Sequence, residues 1–319
     1  MQNNPQVRRI ASSIREHMEV TRQIASGMGG TARFYVEVQT LSELQRIVND
    51  AGEQKMHYLI LGSGYSVLLP DKEFHGIVIK NSCRKFNIIG RRGKFVNGRL
   101  AVEKAMLFVE SGAVVNQVVR FVISEGYSGM EQSLGLPGTI GGALMTENRQ
   151  ADPRIRLSSS LFSVRLLDGK GNLLELSAAD FLGKLERREE MVILSAIFTL
   201  LPGSPVELWQ TGSEALRERE KKYPRETLLA EVFSPLDLSD ALRVPTPLRT
   251  QEAHVLVEKA GLLGKQVGGV SVFEAYGNTL VCLGEVKKSD VSALIWEIQE
   301  TVYRRLGVRL ALRLKHFTL

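Results

Sequence analysis

Cysteine is almost missing from this chain: Cys83 and Cys282 are the only two in 319 residues. That excludes a disulfide framework and a cysteine-built zinc site, and it suits a reducing cytosol. Histidine is sparse as well, with five, and His57, His75, His254 and His316 show no ligand spacing, so no metal is expected. No apolar run approaches the ~20 residues that a membrane span requires. The N-terminal stretch MQNNPQVRRIASSIREHMEV lacks the apolar centre of a secretory signal, so a soluble, cytoplasmic protein is expected. Charge of one sign is lacking too. The net charge of +6 is dispersed through mixed clusters such as Arg187-Arg188-Glu189-Glu190, with no basic stripe interleaved with aromatics. Nucleic acid is therefore not an expected partner, while an acidic small molecule such as a nucleotide stays compatible. Trp209 and Trp296 read as packing residues.

Glycine is what the chain has in quantity, and it is concentrated. The stretch GYSGMEQSLGLPGTIGGA, Gly126 to Ala143, carries Gly126, Gly129, Gly135, Gly138, Gly141 and Gly142, with Pro137 fixing a turn. A second glycine turn, Gly62-Ser63-Gly64-Tyr65-Ser66, follows the apolar run Tyr58–Leu61. A strand that ends in such a turn exposes unpaired amides, which suit a pyrophosphate. One Gly-x-Gly alone is more often a bare tight turn; the second glycine-rich segment makes a ligand the better reading.

The patterning around these turns predicts an α+β chain in three segments, 1–85, 86–205 and 206–319. Residues 1–26 read as a polar helical arm, and FYVEV as a strand. A helix follows from a Thr40/Glu43 capping box to a stop at Gly52. Strands are expected at 57–61 and 76–80, and the polar segment around Gly90–Gly98 as a separator. In the middle segment a valine-rich helix ends at Gly126, and strands near Phe162–Leu167, Leu173–Leu176 and Val192–Leu200 follow. The last segment is read as a charged helix over 212–222, a helix over Glu252–Ala260, one strand VGGVSV and one strand Thr279–Leu283. Its final helix is expected to be capped by Ser289, lined by Val291, Leu294, Ile295, Ile298 and Val302, and ended by Gly307.

The two glycine turns resemble those of the MurB family, the FAD-dependent UDP-N-acetylenolpyruvoylglucosamine reductases of cell-wall synthesis. Gly62–Leu68 is similar to the family's G-x-G-S-N-L-L. Gly126–Ala143 is similar to G-x-x-G-L-E-x-x-x-G-I-P-G-x-V-G-G-A. Further on, Glu258–Gly264, Gly268-Gly269-Val270 and Tyr276-Gly277-Asn278-Thr279 are similar to E-K-A-G-L-x-G, G-G-A and H-x-N-F. The resemblance implies a two-lobe FAD-binding (PCMH-like) fold with a C-terminal α+β substrate lobe. It implies that Gly62, Ser63, Gly64, Tyr65, Ser66, Pro137, Gly138, Thr139, Gly141 and Gly142 hold the FAD. It makes Lys259, Gly268, Gly269 and Asn278 candidates for the substrate lobe, facing a nucleotide or UDP-sugar.

The family's chemical groups do not stand at their matching places. Glu231 occupies the position of a serine, and Arg313 that of a glutamate. No tyrosine–arginine pair follows Phe181, although Arg187 and Arg188 are near. Glu231 and Arg313 are read either as an exchanged pair or as plain structural charges. Beside the flavin ring, a small-residue stretch has become Met145-Thr146-Glu147-Asn148-Arg149-Gln150, which implies a weakened cofactor site whose affinity lies in the ADP half. The expectation is a reductase-deficient MurB-like protein of peptidoglycan-precursor synthesis with residual FAD or nucleotide binding. Two alternatives stay open: an active reductase using NADPH, and a nucleotide-free interaction scaffold.

Overall fold

The computed structural model describes residues 14–25, 27–69, 73–96, 99–146, 156–187, 189–225, 227–236, 238–244 and 252–313. The chain divides into two compact units: Met1–Glu19, Thr31–Ser63 and Glu73–Leu216 make the first, and Val20–Gly30, Gly64–Lys72 and Arg217–Leu319 the second. Segments 1–85 and 86–205 each hold a sheet of their own within the first unit. The division between the two units at 216/217 falls inside a helix.

The first sheet is built from β1 (Arg15–Glu19), β2 (Thr31–Val38), β3 (Tyr58–Leu61) and β4 (Phe74–Asn81) in the order β1-β2-β4-β3, with α1 (Leu41–Glu53) between β2 and β3. β4 runs parallel to both β2 and β3. Their carboxyl ends therefore share one edge, where such sheets place ligands. The expected helical arm is corrected here: residues 15–19 pair antiparallel with β2, and the ladder satisfies a backbone that the polar composition alone left uncommitted. α1 starts as expected, with Thr40 Oγ1 accepting the Glu43 amide at 3.3 Å. It passes Gly52 and ends at Glu53, and Lys55 takes the left-handed turn at φ 52°. Leu44, Ile47 and Val48 of α1 share one core with Val36, Ile77 and Ile79 of this sheet and with Leu167, Val192 and Leu194.

The second sheet uses β5 (Phe86–Val96), β6 (Arg99–Glu110), β8 (Leu161–Asp168), β9 (Leu173–Ser177) and β10 (Met191–Pro202) in the antiparallel order β5-β6-β10-β8-β9, and the short β7 (Tyr127–Ser128) pairs with β10. It carries α2 (Val115–Ser124), α3 (Ile140–Thr146), α4 (Ala178–Glu186) and the start of α5 (Pro205–Lys222). The polar stretch Gly90–Gly98 is not a separator; β5 and β6 form a long hairpin with register shifts at Ile88/Gly90 and Arg92/Gly93. α5 begins at Pro205, seven residues before the expected start at Gly212, because proline fits the first helical turn, where its missing N–H costs nothing. The Asp168–Asn172 turn is held by the Asp168 carboxylate, which accepts from the Lys170 and Asn172 amides at 2.9 and 2.8 Å. Its side-chain bond to Asn172, foremost, holds that carboxyl below the usual carboxylate range.

The second unit contains β11 (Thr227–Ala230), α6 (Leu238–Arg243), α7 (Ala253–Lys259), β12 (Gln266–Val267), β13 (Val270–Val272), β14 (Thr279–Cys282) and α8 (Lys288–Leu306), with sheet order β11-β14-β13-β12. VGGVSV is two strands rather than one. Val267 pairs with Val270 across the turn Gly268-Gly269, where φ reaches 54° at Gly268. The apolar stripe of α8 is fully buried, and Gly307 ends the helix at φ 73°. Its cap is Lys287, whose amide donates to Asp290, and not Ser289. Trp296 lies off the stripe and is 55% exposed, so it is not a packing residue, whereas Trp209 packs against the second-sheet core. Among the described residues no helix is long and apolar enough to cross a membrane, and no group of His, Cys, Asp or Glu could hold a metal.

Candidate functional site

Gly62, at the start of the first glycine turn, meets the second turn within the first unit. β3 ends at Leu61, in register with Lys80 of β4, and the Lys80 ammonium donates to the Gly62 carbonyl at 2.5 Å. A Cβ on Gly62 would lie 2.5 Å from Thr139 Oγ1, so glycine at 62 is what lets the second turn pack against the first. That second turn is strung along the end of β6. Ile140 N donates to Ala113 O, Gly141 N to Ser111 O, and Val115 N to Gly138 O, at 2.8–3.1 Å. Ser111 is anchored in turn: Asn81 Nδ2 donates to its Oγ at 2.8 Å, and Cys83 N donates to Asn81 Oδ1 at 3.0 Å. Asn81 and Ser111 are buried, so a hydrogen-bonded core underlies the turns and holds them in place.

The Gly112 position is a tight point of this support. A Cβ there would stand 2.6 Å from Cys83 O and 2.7 Å from Asn81 O. Gly112→Ala is expected to lower stability by about 1–3 kcal/mol, as over-packing does. Thermal unfolding checks this, and an unchanged melting temperature would show that the β6 end is slack.

Within this frame the amides of Ser63, Gly138 and Thr139 donate to no group among the described residues. Gly138 has φ 101°, and a Cβ on it would enter open space. Unpaired amides beside an open glycine suit the phosphate end of an FAD. Gly141 and Gly142 are occupied inside the fold, the first by Ser111 and the second by a 3.4 Å bond to Thr139 Oγ1. Gly64, Tyr65 and Ser66 belong to the second unit; Gly64 has φ 80°, and Tyr65 is 42% exposed. Of the stretch Met145–Gln150, expected beside a flavin ring, Thr146 donates to Gly142 O at 2.8 Å. Glu147, Asn148, Arg149 and Gln150 lie outside the described residues.

A second cluster, wholly within the second unit, is centred on Glu231. This residue leaves β11 at φ 53°, a left-handed conformation that a glutamate rarely adopts. Its neighbours impose it. Val232 N donates to Asn278 O, Phe233 N to Asn278 Oδ1 and Arg313 N to Val232 O, at 2.8–3.1 Å. This stitching sets Arg313 Nη1 3.4 Å from Glu231 Oε2 and Asn278 Nδ2 2.9 Å from the same oxygen. Tyr276 donates its hydroxyl to Oε1 at 3.1 Å, and the Tyr223 hydroxyl donates there as well.

The surroundings of the cluster are aromatic and cationic. The two tyrosine rings meet edge to face with centroids 6.0 Å apart. Lys222 Nζ lies 5.0 Å from the Tyr276 centroid, and the His254 ring lies 4.5 Å from it. Burial first, and the Glu231 charge second, push both tyrosine hydroxyls well above their ordinary pKa. Burial pushes the Arg219 guanidinium down. His254 stands 3.0 Å from Glu252 and holds that carboxyl below its usual range.

Glu231, Arg313 and Asn278 thus come together, while the other substrate-lobe candidates do not join them. Lys259 is exposed on α7. Gly268 and Gly269 serve the β12–β13 turn, where added Cβ atoms would strike Asp290 and Glu285. Arg187 pairs with Glu189 at 2.7 Å and is 63% exposed, and Arg188 lies outside the described residues. Tyr223 escaped the sequence reading; Tyr276 lay in a quoted motif, but nothing local marks a phenol that reaches Glu231.

Comparison with known proteins agrees with this architecture. Residues 32–177 match the FAD binding domain family, and residues 229–316 match the C-terminal domain family of UDP-N-acetylenolpyruvoylglucosamine reductase. The chain is 27% identical over 302 residues to a protein of that name from Chlamydia muridarum, covering 93% of this chain and 92% of the relative. It is 26% identical over 312 residues to that of Carboxydothermus hydrogenoformans, covering 97% and 95%. The fold superposes on the crystal structure of UDP-N-acetylenolpyruvylglucosamine reductase from Thermus caldophilus with a TM-score of 0.67 at 22% identity, covering 94% of this chain and 98% of that one. With glycine turns, sheets and C-terminal unit all in place, the chain belongs to the MurB family, as a divergent member.

Proposed function

We propose that this protein acts in peptidoglycan-precursor synthesis, binds FAD or a related adenine nucleotide through a weakened site, and lacks reductase activity. One observation carries the reading. Glu231, at the position of the family's serine, is engaged by Arg313, at the position of the family's glutamate, and by Tyr223, Tyr276 and Asn278. Reduction of an enolpyruvyl group requires a proton donor and a cation beside the substrate carboxylate. Here the cation is turned onto the protein's own carboxylate, whose two oxygens serve as acceptors. Weakening of the cofactor site rests on Tyr65 and Ser66 in place of serine and asparagine in the first turn. The unpaired amides of Ser63, Gly138 and Thr139 support retention of the phosphate end.

An active, NADPH-using reductase acting on a UDP-sugar is the second reading, favoured by end-to-end similarity to proteins that carry that name. Purified protein separates the two. The expected result is a visible flavin band, or added FAD raising the melting temperature, without NADPH oxidation that depends on the enolpyruvyl UDP-sugar. Loss of a positioned proton donor or anion-stabilising group costs on the order of 10²–10⁴ in rate. Steady turnover near ~1 per second, ordinary for an enzyme, would overturn the deficient reading. Failure to bind FAD or ADP at all would leave an interaction scaffold.

A further inference from the structure

Lys80 is an unusual residue for its place. It sits near the carboxyl end of β4, the strand between β2 and β3, in register with Glu37 on one side and Leu61 on the other. Its side chain is partly buried, and burial pushes its ammonium pKa down, with Arg84 adding to the effect and Glu37 opposing it. Glu37 itself accepts from Ser82 Oγ at 2.7 Å. The ammonium reaches the carbonyl of Gly62, the first residue of the first glycine turn.

Peptide planarity gives that contact a consequence. In a trans peptide the carbonyl of one residue and the N–H of the next point in opposite directions. An ammonium held on Gly62 O therefore turns the Ser63 N–H away from Lys80. That amide has no acceptor among the described residues, and neither do those of Gly138 and Thr139. The two turns are in contact through Gly62 and Thr139 Oγ1, and the flank of Gly138 is open. Three unpaired donors on two contacting turns, one of them oriented by a half-buried ammonium on the opposite side of its peptide, suit an anion.

We propose that Lys80 is the positioning residue of a diphosphate site in the first unit: it fixes the Gly62–Ser63 peptide so that the Ser63 amide, with those of Gly138 and Thr139, receives the pyrophosphate of an adenine dinucleotide. The inference rests on the nucleotide-binding reading above and names the residue that makes the first turn competent. A neutral side chain at 80 would remove the ammonium that holds the Gly62 carbonyl and leave that peptide free to rotate.

Calorimetric titration of the full-length protein with ADP, FAD, inorganic pyrophosphate and adenosine tests it. Lys80→Met is expected to weaken ADP, FAD and pyrophosphate by about tenfold or more, as loss of a charge-assisted contact does, and to leave adenosine unchanged. Lys80→Arg is expected to restore most of the ADP affinity. The parent's ADP affinity is expected to fall with added salt more steeply than that of Lys80→Met; the parent's salt response needs no variant to fold. Equal ADP affinity of parent and Lys80→Met would overturn the proposal. So would equal weakening of ADP and adenosine, which marks a merely structural lysine. A parent that binds none of the four probes overturns the nucleotide reading itself, a different result from a parent that binds ADP independently of Lys80.

Discussion

Glu231→Ala is expected to cost about 2–4 kcal/mol of folding stability, read as a lower midpoint in urea unfolding. Removing one partner of a buried ion pair typically costs about 3–5 kcal/mol, because the other charge stays behind without compensation. The range is set lower here because the Glu231 side chain is 25% exposed while that of Arg313 is 15% exposed. More than the arginine is stranded. The hydroxyls of Tyr223 and Tyr276 and the amide of Asn278 all lose an acceptor in a largely buried setting, and each such loss carries its own desolvation cost. Glu231→Gly separates the cluster from the backbone. At φ 53° a glycine relieves strain of about 1 kcal/mol, so the glycine variant is expected to be more stable than the alanine one despite its greater chain entropy. Equal stability of parent and alanine variant would show that the cluster contributes nothing to the fold.

The same cluster shows what the sequence could and could not disclose. Glycine turns, capped helices and alternating strands depend on neighbours within a few residues, so Thr40, Gly126, Gly261 and Gly307 announce their elements directly. Where a second partner decides, the local pattern misleads. Residues 15–19 are polar enough for a solvated helix, yet β2 offers them a ladder. Gly90–Gly98 looks like a linker because its glycines interrupt the alternation. Gly90 and Gly93 sit at the register shifts of the β5–β6 hairpin, and a Cβ on Gly93 would collide with Ala101 O. VGGVSV reads as one strand until Gly268 and Gly269 are seen to reverse it.

For the site, a glutamate in place of the family's serine and an arginine in place of its glutamate suggest that Glu231 and Arg313 belong together, across 82 positions of chain. The link between them runs through the Asn278 side chain, which accepts from Phe233 N, and the Phe233–Leu312 bridge, contacts that no periodicity encodes. Tyr223 has no motif at all. It enters through the end of α5, where its amide donates to Arg219 O and its ring meets Tyr276. Lys80 likewise looks like a strand-end lysine until its reach to Gly62 is known.

Alkaline conditions are expected to unfold the second unit through its two clustered tyrosines. Both hydroxyls are raised above their unfolded pKa, by burial first and by the Glu231 carboxylate next; Arg313 and Arg219 oppose the shift at Tyr223 without cancelling it. Below about pH 10, the value for an unfolded chain, both states hold the phenol protons, and the tyrosines contribute their full stability. Above it the unfolded chain releases these protons while the folded chain keeps them. The unfolded state then binds fewer protons, so stability falls as pH rises, by about 1.4 kcal/mol per pH unit for each tyrosine and ~2.7 for the pair. Lysines titrate in the same range, and Tyr35 and Tyr58 are shifted in the same direction, so the measurement must be a difference. Urea midpoints of the parent, Tyr223→Phe and Tyr276→Phe at about pH 9, 10 and 11 provide it. Each phenylalanine variant is expected to be less stable than the parent near pH 9, having lost a hydrogen bond to Glu231, and to close that gap as pH rises, because it no longer has a proton to protect. Parallel curves for parent and variants would mean that Tyr223 and Tyr276 ionise as they do in the unfolded chain, and that the Glu231 cluster is open to solvent.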